Sequence, residues 1–509
     1  MKLITPHLVY HNIEPIYTCD IQTKTDDFIR LATGGFDCSV RLWKLHCVHN
    51  GNKDFLPVEF VANLNRHEKR VNVVRWSPSG NILASASDDG IIILWTKSKE
   101  AVPQKIDDDD VNLESWSPRS LRRHFLDVYD VCWSLNENHL ISGSVDCCAI
   151  LWDLKNTNKV IILKDHKQFV QGVAWDPLDN VVITQSSDRT MRVYRASTRT
   201  CIYKVWKSGD SKLFQDGSWK YFFRRLEFSP DGKLLVTPAG FYERKKNVEE
   251  ANDIYASNPV NDTHAAHIFV RHNLSKVAVT IPTGKNAVIG VRFNPVRFSL
   301  KNKSSQSAFK LPYRWIFCLV LDNGVLIYDT EQCLPVVKIF DIHYLSITDA
   351  SWAPDGHCLT VTSTDGYCSF IYFEKGELGE VYTLVGPQSM KNPLKTIENT
   401  VESDDSKSDA IYNLKMNLPM LQLDPTEILR VSNQENIASD SDTDNCSNGD
   451  VDDKDIQIIS DDDVKEEPAG AIDNEQSGIK RRNTIREPDD NKNSEPEPKK
   501  RRLTFITLS

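Results

Sequence analysis

Three residues recur along this chain at offsets that do not drift. Counting from His67, Asp89 lies at +22 and Trp95 at +28. His124, Asp146 and Trp152 repeat both offsets, and His166, Asp188 and Tyr194 repeat them with Tyr in the last place. His343 and Asp365 keep the +22 interval, with Ile371 where the Trp would stand. Each of these His residues is followed at +9 by a Trp: Trp76, Trp133, Trp175 and Trp352. Such copies predict repeated supersecondary units that bury their faces on one another.

Weaker copies extend the series. Asp37 and Trp43 keep the six-residue gap with His11 upstream, and Asp322 and Tyr328 keep it downstream of Phe293-Asn294-Pro295. Phe228-Ser229-Pro230-Asp231-Gly232 matches the strand-turn signal Trp76-Ser77-Pro78-Ser79-Gly80, and its unit's third strand is predicted at Ala265–Val270. Seven units result. Within one unit, Val71 to Trp76 reads as a strand, Ser77-Pro78-Ser79-Gly80 as a turn, and Ile82 to Ser87 as the next strand. Asp88-Asp89-Gly90 reads as a second turn, Ile91 to Trp95 as a third strand, and a less regular fourth strand precedes the next His.

This pattern resembles the WD-repeat family, which implies an all-β, seven-bladed propeller of four-stranded blades over residues 1–385. In that family the His, the Asp, a Ser or Thr on the second strand and the Trp indole form a hydrogen-bonded chain. Here Thr33, Ser85, Ser142 and Thr184 each stand four residues before their Asp. The resemblance therefore makes His67, Ser85, Asp89, Trp95, His124, Ser142, Asp146, Trp152, His166, Thr184, Asp188, His343 and Asp365 blade struts, not catalytic groups. Leaving one such donor buried and unpaired costs about 1–3 kcal/mol. Residues 2–9 precede the first inner strand near Pro15, so Leu3-Ile4 and Leu8-Val9-Tyr10 are expected to supply the outer strand of the seventh blade, ahead of the rival Val381–Val385.

Polar insertions fall at about 46–57, 98–115, 207–217, 241–263 and 297–311. Phe222-Phe223-Arg224-Arg225 and the clusters Arg66/Lys69/Arg70 and Arg119/Arg122/Arg123 are candidate contact points on the rim, or plain solvated surface. Composition separates a tail from the ring. All 11 Trp lie before residue 353, and the aromatics beyond 400 are Tyr412 and Phe505. Residues 401–509 carry a net −12 within a chain of −10, leaving residues 1–400 near +2. A segment so charged and so poor in apolar side chains cannot offset its chain entropy, so 386–509 is expected to be disordered.

Catalytic signatures are missing. Pro282-Thr283-Gly284-Lys285 echoes a phosphate loop, but Val279 replaces its first Gly and Asn286 its magnesium-binding hydroxyl. His264 and His267 have HxxH spacing with no third ligand nearby in sequence. No enzyme activity, metal or cofactor is expected. The 12 Cys form no CxxC pair, and Cys147-Cys148 are expected to be buried structural thiols on opposite faces of a strand. The first residues contain no signal-peptide core and no apolar run nears membrane-spanning length, so reduced thiols and no membrane partner are expected.

Further stretches resemble one branch of the family. Met1-Lys2-Leu3-Ile4-Thr5-Pro6 and His11–Tyr17 are similar to the opening of the histone-chaperone WD subfamily, which holds the middle subunit of chromatin assembly factor one and the regulator HIRA. Phe222–Leu226, Pro230–Gly240, Leu311-Pro312-Tyr313-Arg314 and Ser363–Phe370 resemble the middle-subunit type in particular. The chain also stops soon after its basic motif, where HIRA-type chains are expected to continue. The loops at 98–115 and 241–263 look private to this sequence.

The resemblance implies a scaffold subunit of a nuclear complex that deposits histones H3–H4 during replication and repair. Its implied partners are a large subunit, a second small WD-repeat histone-binding subunit and H3–H4. The alternatives are a HIRA-like replication-independent role or a ubiquitin-ligase adaptor. Lys480-Arg481-Arg482 and Lys499-Lys500-Arg501-Arg502 suit a nuclear import receptor, and the acidic Ser/Thr runs 439–444 and 460–463 suit phosphorylation. The basic run continues into Leu503, Thr504, Phe505 and Ile506, and period-two alternation puts Arg501, Leu503 and Phe505 on one side of a strand. The segment resembles the short motif by which this subfamily docks the anti-silencing histone chaperone, implying strand addition to that partner's sheet edge. With a near-neutral ring and an acidic tail, the chain is not expected to bind DNA tightly alone.

Overall fold

In the computed structural model the described residues are 1–382, less 9, 25–26, 47–56, 100–103, 106–110, 157–158, 210, 243–262, 302–308 and 333–334, together with 505–507. They form a seven-bladed propeller with no helix among the described residues. The innermost strands of blades one to seven are Ile16–Ile21, Val71–Trp76, Val128–Trp133, Val170–Trp175, Glu227–Phe228, Val288–Phe293 and Ile347–Trp352. Three antiparallel strands follow outward in blades one to six. In blade seven, Cys358–Ser363 and Cys368–Tyr372 follow, and the outer strand is Lys2–Ile4 from the other end of the chain. Lys2 lies opposite Tyr372 and Ile4 opposite Phe370. The Met1 amino group lies 2.7 Å from the Glu377 carboxylate, and Val381 makes only an isolated bridge to Phe298.

Why these sequences lie flat against one another is plain from burial. Stretches such as Ile91–Trp95 and Ile316–Leu321 are covered on both faces by neighbouring blades, so they read as unbroken apolar runs. The core is accordingly a series of inter-blade layers. One joins Val71, Val74, Trp76, Leu83 and Trp95 of blade two to Ala32, Val40 and Leu42 of blade one.

One irregularity repeats around the ring. In six blades the second residue of the inner strand is skipped in the pairing register: Tyr17, Asn72, Tyr129, Gln171, Ile289 and Thr348. A bulge leaves its residue's backbone groups outside the ladder. These carbonyls ring the axis, and their destination decides how the centre of the molecule is built.

Candidate interaction platform

The strut residues meet as hydrogen-bonded chains. His67 Nδ1 lies 2.9 Å from Asp89, its Nε2 2.8 Å from Ser85 Oγ, and Trp95 Nε1 donates to the same hydroxyl at 2.8 Å. His124, Asp146, Ser142 and Trp152 repeat this at 2.8, 2.7 and 2.9 Å. His166 reaches Asp188 and Thr184 at 3.0 and 2.6 Å. In blade seven Val361 stands four residues before Asp365, and the His343–Asp365 contact is 3.1 Å. Blade one holds a complete copy: His11 to Asp37 at 2.7 Å, His11 to Thr33 at 2.8 Å and Trp43 to Thr33 at 2.9 Å.

The donor inventory fixes the direction of each complete chain. The indole can only donate, so the hydroxyl accepts from it and gives its own proton to Nε2. The imidazole then donates from Nδ1 to the carboxylate. Burial holds His11 below its ordinary value despite Asp37. Burial pushes the Asp37, Asp89 and Asp146 carboxyls up, but hydrogen bonds from their His and from backbone N–H groups outweigh it and leave them below the usual range.

At the axis, Phe223, Arg224 and Arg225 are buried and only Phe222 is half exposed, which corrects the expectation of a rim contact. The block leads into blade five's inner strand, and Arg225 bridges to Gly290 of blade six. The Arg225 guanidinium donates to the bulge carbonyls of Tyr17 (3.2 Å), Asn72 (2.6 Å) and Thr348 (3.0 Å). It also lies 2.8 Å from Asp349, which Arg75 (3.0 Å) and Arg292 (2.8 Å) share. Arg224 donates to the carbonyls of Gln215 (2.7 Å) and Asp216 (2.8 Å) and to Gln171 Oε1 (2.7 Å). Blades one, two, four, five, six and seven are thereby tied across the axis, at the upstream ends of their inner strands. At the other end a cavity of about 880 Å³ opens between the first turns of the blades, lined by Arg75, Trp76, Trp133, Glu227, Arg292 and Trp352. Burial pushes Glu227 up to about 7 against the pull of Arg292 and the Phe293 N–H.

The blocks that lie outside the repeat meet at the seam of blades five and six. Tyr313 donates its hydroxyl to Asp231 at 2.5 Å and accepts from Lys233 at 3.0 Å. Arg314 pairs with Asp329 at 2.5 Å and donates to the carbonyl of Ser299 at 2.9 Å. The 98–115 insertion also turns inward at its end, where Glu114 is buried against Arg30 and Lys97.

Antiparallel order puts the loop from each outer strand to the next inner strand at the same end as the turn between second and third strands. That face exposes Ile13, Phe36, Phe125, Leu126, Phe169, Tyr344 and Leu345, with Phe125 89% and Tyr344 70% accessible. Leu135 and Leu178 are the exposed aliphatics at first turns on the opposite face. Arg66, Lys69, Arg122 and Arg123 are exposed beside it, whereas Arg70 pairs with Asp88 and covers the Tyr17 and Phe222 rings.

Cys147 and Cys148 occupy a turn, Cys147 at φ 65°, and are half exposed free thiols, which corrects their placement as buried residues on a strand. The turn is set by Asp146, whose Oδ1 accepts from the Cys148 N–H at 3.0 Å. His267 is buried between Thr280 Oγ1 (3.0 Å) and the Leu213 carbonyl (2.7 Å), and burial lowers it to about 4. His264 is 3.4 Å from Gln215, so each histidine of the HxxH pair has a protein partner.

Lys480, Arg481, Arg482, Lys499, Lys500, Arg501, Arg502, Leu503 and Thr504 lie outside the described residues, as do the acidic Ser/Thr runs. Phe505–Thr507 form a strand on the outer strand of blade six, Pro335–Phe340.

Residues 1–378 match the family model described as the CAF1B/HIR1 beta-propeller domain. A similar protein is a chromatin assembly factor 1 subunit of Gallus gallus, 43% identical over 405 residues, which cover 74% of this chain and 69% of that one. The protein of the same description from Saccharomyces cerevisiae is 31% identical over 442 residues, covering 79% and 92%. Protein HIR1 of Kluyveromyces lactis is 27% identical over 443 residues, covering 81% of this chain and 48% of its own length.

Proposed function

Because the chain belongs to the CAF1B/HIR1 beta-propeller family, we propose that it is the non-enzymatic propeller subunit of a nuclear chromatin-assembly complex that deposits H3–H4 during replication and repair. The observation that carries this reading is the seam and axis. The blocks 222–226 and 311–314 are no part of the repeat motif, yet the first builds the axis and the second the seam of blades five and six in a chain 43% identical to a subunit of chromatin assembly factor 1. The replication-independent reading rests on relatives of lower identity, such as the 27% of the HIR1 protein.

In this reading the propeller organises the large subunit alongside a second small WD-repeat subunit. Phe125, Leu126, Tyr344 and Leu345 give its loop face the exposed apolar and aromatic side chains that interfaces use. Residues 1–385 act as that ring and 386–509 as an acidic tail. Lys480-Arg481-Arg482 and Lys499–Arg502 direct nuclear import. Lys499–Ile506 docks the anti-silencing chaperone, with Arg501 and Arg502 on its acidic groups and Leu503 in an apolar pocket. DNA binding of the assembly comes from another subunit.

The test is affinity purification of the full chain from nuclei, with partner identification and a plasmid supercoiling assay. The large subunit, the small WD-repeat subunit and H3–H4 should co-purify, and the eluate should assemble nucleosomes. Recovery of ubiquitin-ligase subunits without histones would overturn the reading.

A further inference from the structure

The outer edge of a propeller blade is an unpaired strand, and such edges are normally protected. Most blades here have a device. In blade one the edge is capped by the 111–113 segment, with Leu113 N–H on the Val61 carbonyl at 2.8 Å and Asn63 N–H on Asn112 Oδ1 at 2.7 Å. Blades two and five carry a proline within the outer strand, Pro118 in Trp116–Arg122 and Pro282 in Val279–Gly284. The outer strands of blades three and seven are short, four and three residues. The six-residue outer strand of blade six, Pro335-Val336-Val337-Lys338-Ile339-Phe340, has a proline only at its first position. Beyond that it has one charge among β-branched and aromatic residues. It is the edge that receives a fifth strand: Phe505–Thr507 pair with it antiparallel, Ile339 opposite Phe505, Lys338 opposite Ile506 and Val337 opposite Thr507.

We infer that the outer edge of blade six is a strand-acceptor surface and that its resident ligand is the chain's own C-terminal segment, Phe505–Thr507. Resting on the docking reading above, this makes the segment shared property. The backbone groups that pair with Val337–Ile339 are those a partner's sheet edge must take, so chaperone docking requires release from blade six. In the sequence Leu503 and Phe505 alternate onto one side of an extended segment, and that side can be buried against one partner at a time. A short, three-pair contact suits such a role, since it holds the segment without locking it.

Hydrogen exchange on the full chain tests the contact. Amides of Val336–Phe340 alternate between the inner neighbour and the open edge. In the Ile506→Pro variant, which cannot donate from residue 506, the edge-facing amides should exchange at least about tenfold faster while inner amides stay unchanged. Adding a synthetic peptide of residues 499–509 in trans should restore their protection. Unchanged exchange in the variant overturns the cis contact. Competition is read separately, by titrating purified anti-silencing chaperone against the full chain and against the peptide. The peptide should bind about tenfold tighter, because no release precedes its docking. Equal affinity overturns the competition. If neither binds, the docking reading fails, and the blade-six contact stands or falls on exchange alone.

Discussion

Replacing Asp349 by Asn removes the charge that Arg75, Arg225 and Arg292 share, while keeping the shape of the side chain. Arg225 keeps its three bulge carbonyls, so the loss is one of charge compensation and not of every hydrogen bond. Breaking a buried pair by removing one partner costs about 3–5 kcal/mol. A propeller of roughly 380 residues, at about 2.1 cal/mol/K per residue, has an unfolding entropy near 0.8 kcal/mol/K, so the melting temperature should fall by about 4–6 °C. Differential scanning calorimetry at pH 7 measures this directly. The double variant with Arg225→Met should lose less than the sum of the two singles, because the second change removes the charge that the first left stranded. Acid gives a second reading. Burial pushes Asp349 up, but Arg225, Arg292 and Arg75 outweigh it and hold the carboxyl below the usual range. Its contribution is therefore present above about pH 4, the unfolded value, and is lost as pH falls through the folded one. The gap between wild type and variant should narrow in that window. A variant that melts within about 1 °C of wild type, at an expected cost of about 3–5 kcal/mol, would refute the assignment of the axial carboxylate as a charge clamp.

Three further outcomes follow from the same geometry. Thr33→Val removes the hydroxyl between His11 and Trp43 and should cost about 1–3 kcal/mol, read by chemical denaturation, with faster amide exchange confined to blade one. Deleting residues 1–6 strips three pairings from Cys368–Tyr372 and the packing of Leu3 and Ile4. It should lower the melting temperature by several degrees, on roughly 3 kcal/mol of lost apolar burial, and light scattering should report association through the opened edge. Glu227 is raised to about 7 from 4.5, so its favourable share is present below about pH 4.5 and lost as pH rises through 7. Glu227→Gln should gain about 3 kcal/mol on wild type between pH 5 and pH 8.5, which paired melts at the two pH values check.

The repeat is legible because a buried polar chain demands fixed spacing. A histidine can meet an Asp, a hydroxyl and an indole at once only if the strands between them have fixed lengths. Where loops lengthen, that signal breaks though the geometry survives: His11 reaches Asp37 across 26 residues instead of 22, because the turn between Ile16–Ile21 and Arg30–Gly35 is longer than that between Val71–Trp76 and Ile82–Ser87, and the segment from His11 to Ile16 is longer than that from His67 to Val71. The axis is harder to read because Phe222–Arg225 looks like a basic, exposed loop. Yet aligned on Phe228-Ser229-Pro230 against Trp76-Ser77-Pro78, Phe223 falls on Val71 and Arg225 on Val73, which are inner-strand positions. The bulge carbonyls that make a buried arginine acceptable there belong to other blades, and no local pattern announces them. Cys147 and Cys148 mislead for a similar reason, since a turn capped by Asp146 and a strand start look alike over two residues. The pairing of Phe505–Thr507 with blade six has a signal in its alternation, but the sequence does not say which edge is left open.

The closure of blade seven sets an order of events during synthesis. Lys2–Ile4 leaves the ribosome ahead of the blade strands, while its partner Cys368–Tyr372 follows some 370 residues later. At about 5–20 residues per second the opening strand waits roughly 20–75 s with its edge unsatisfied. Blades one to six can assemble by local hairpins as they emerge, but the latch cannot engage until the ring is nearly complete. A nascent chain of this kind carries a free β-edge at one end and an incomplete ring at the other for most of its translation. It should therefore be a chaperone client through its N-terminus, and premature termination before residue 372 should leave a ring that never latches.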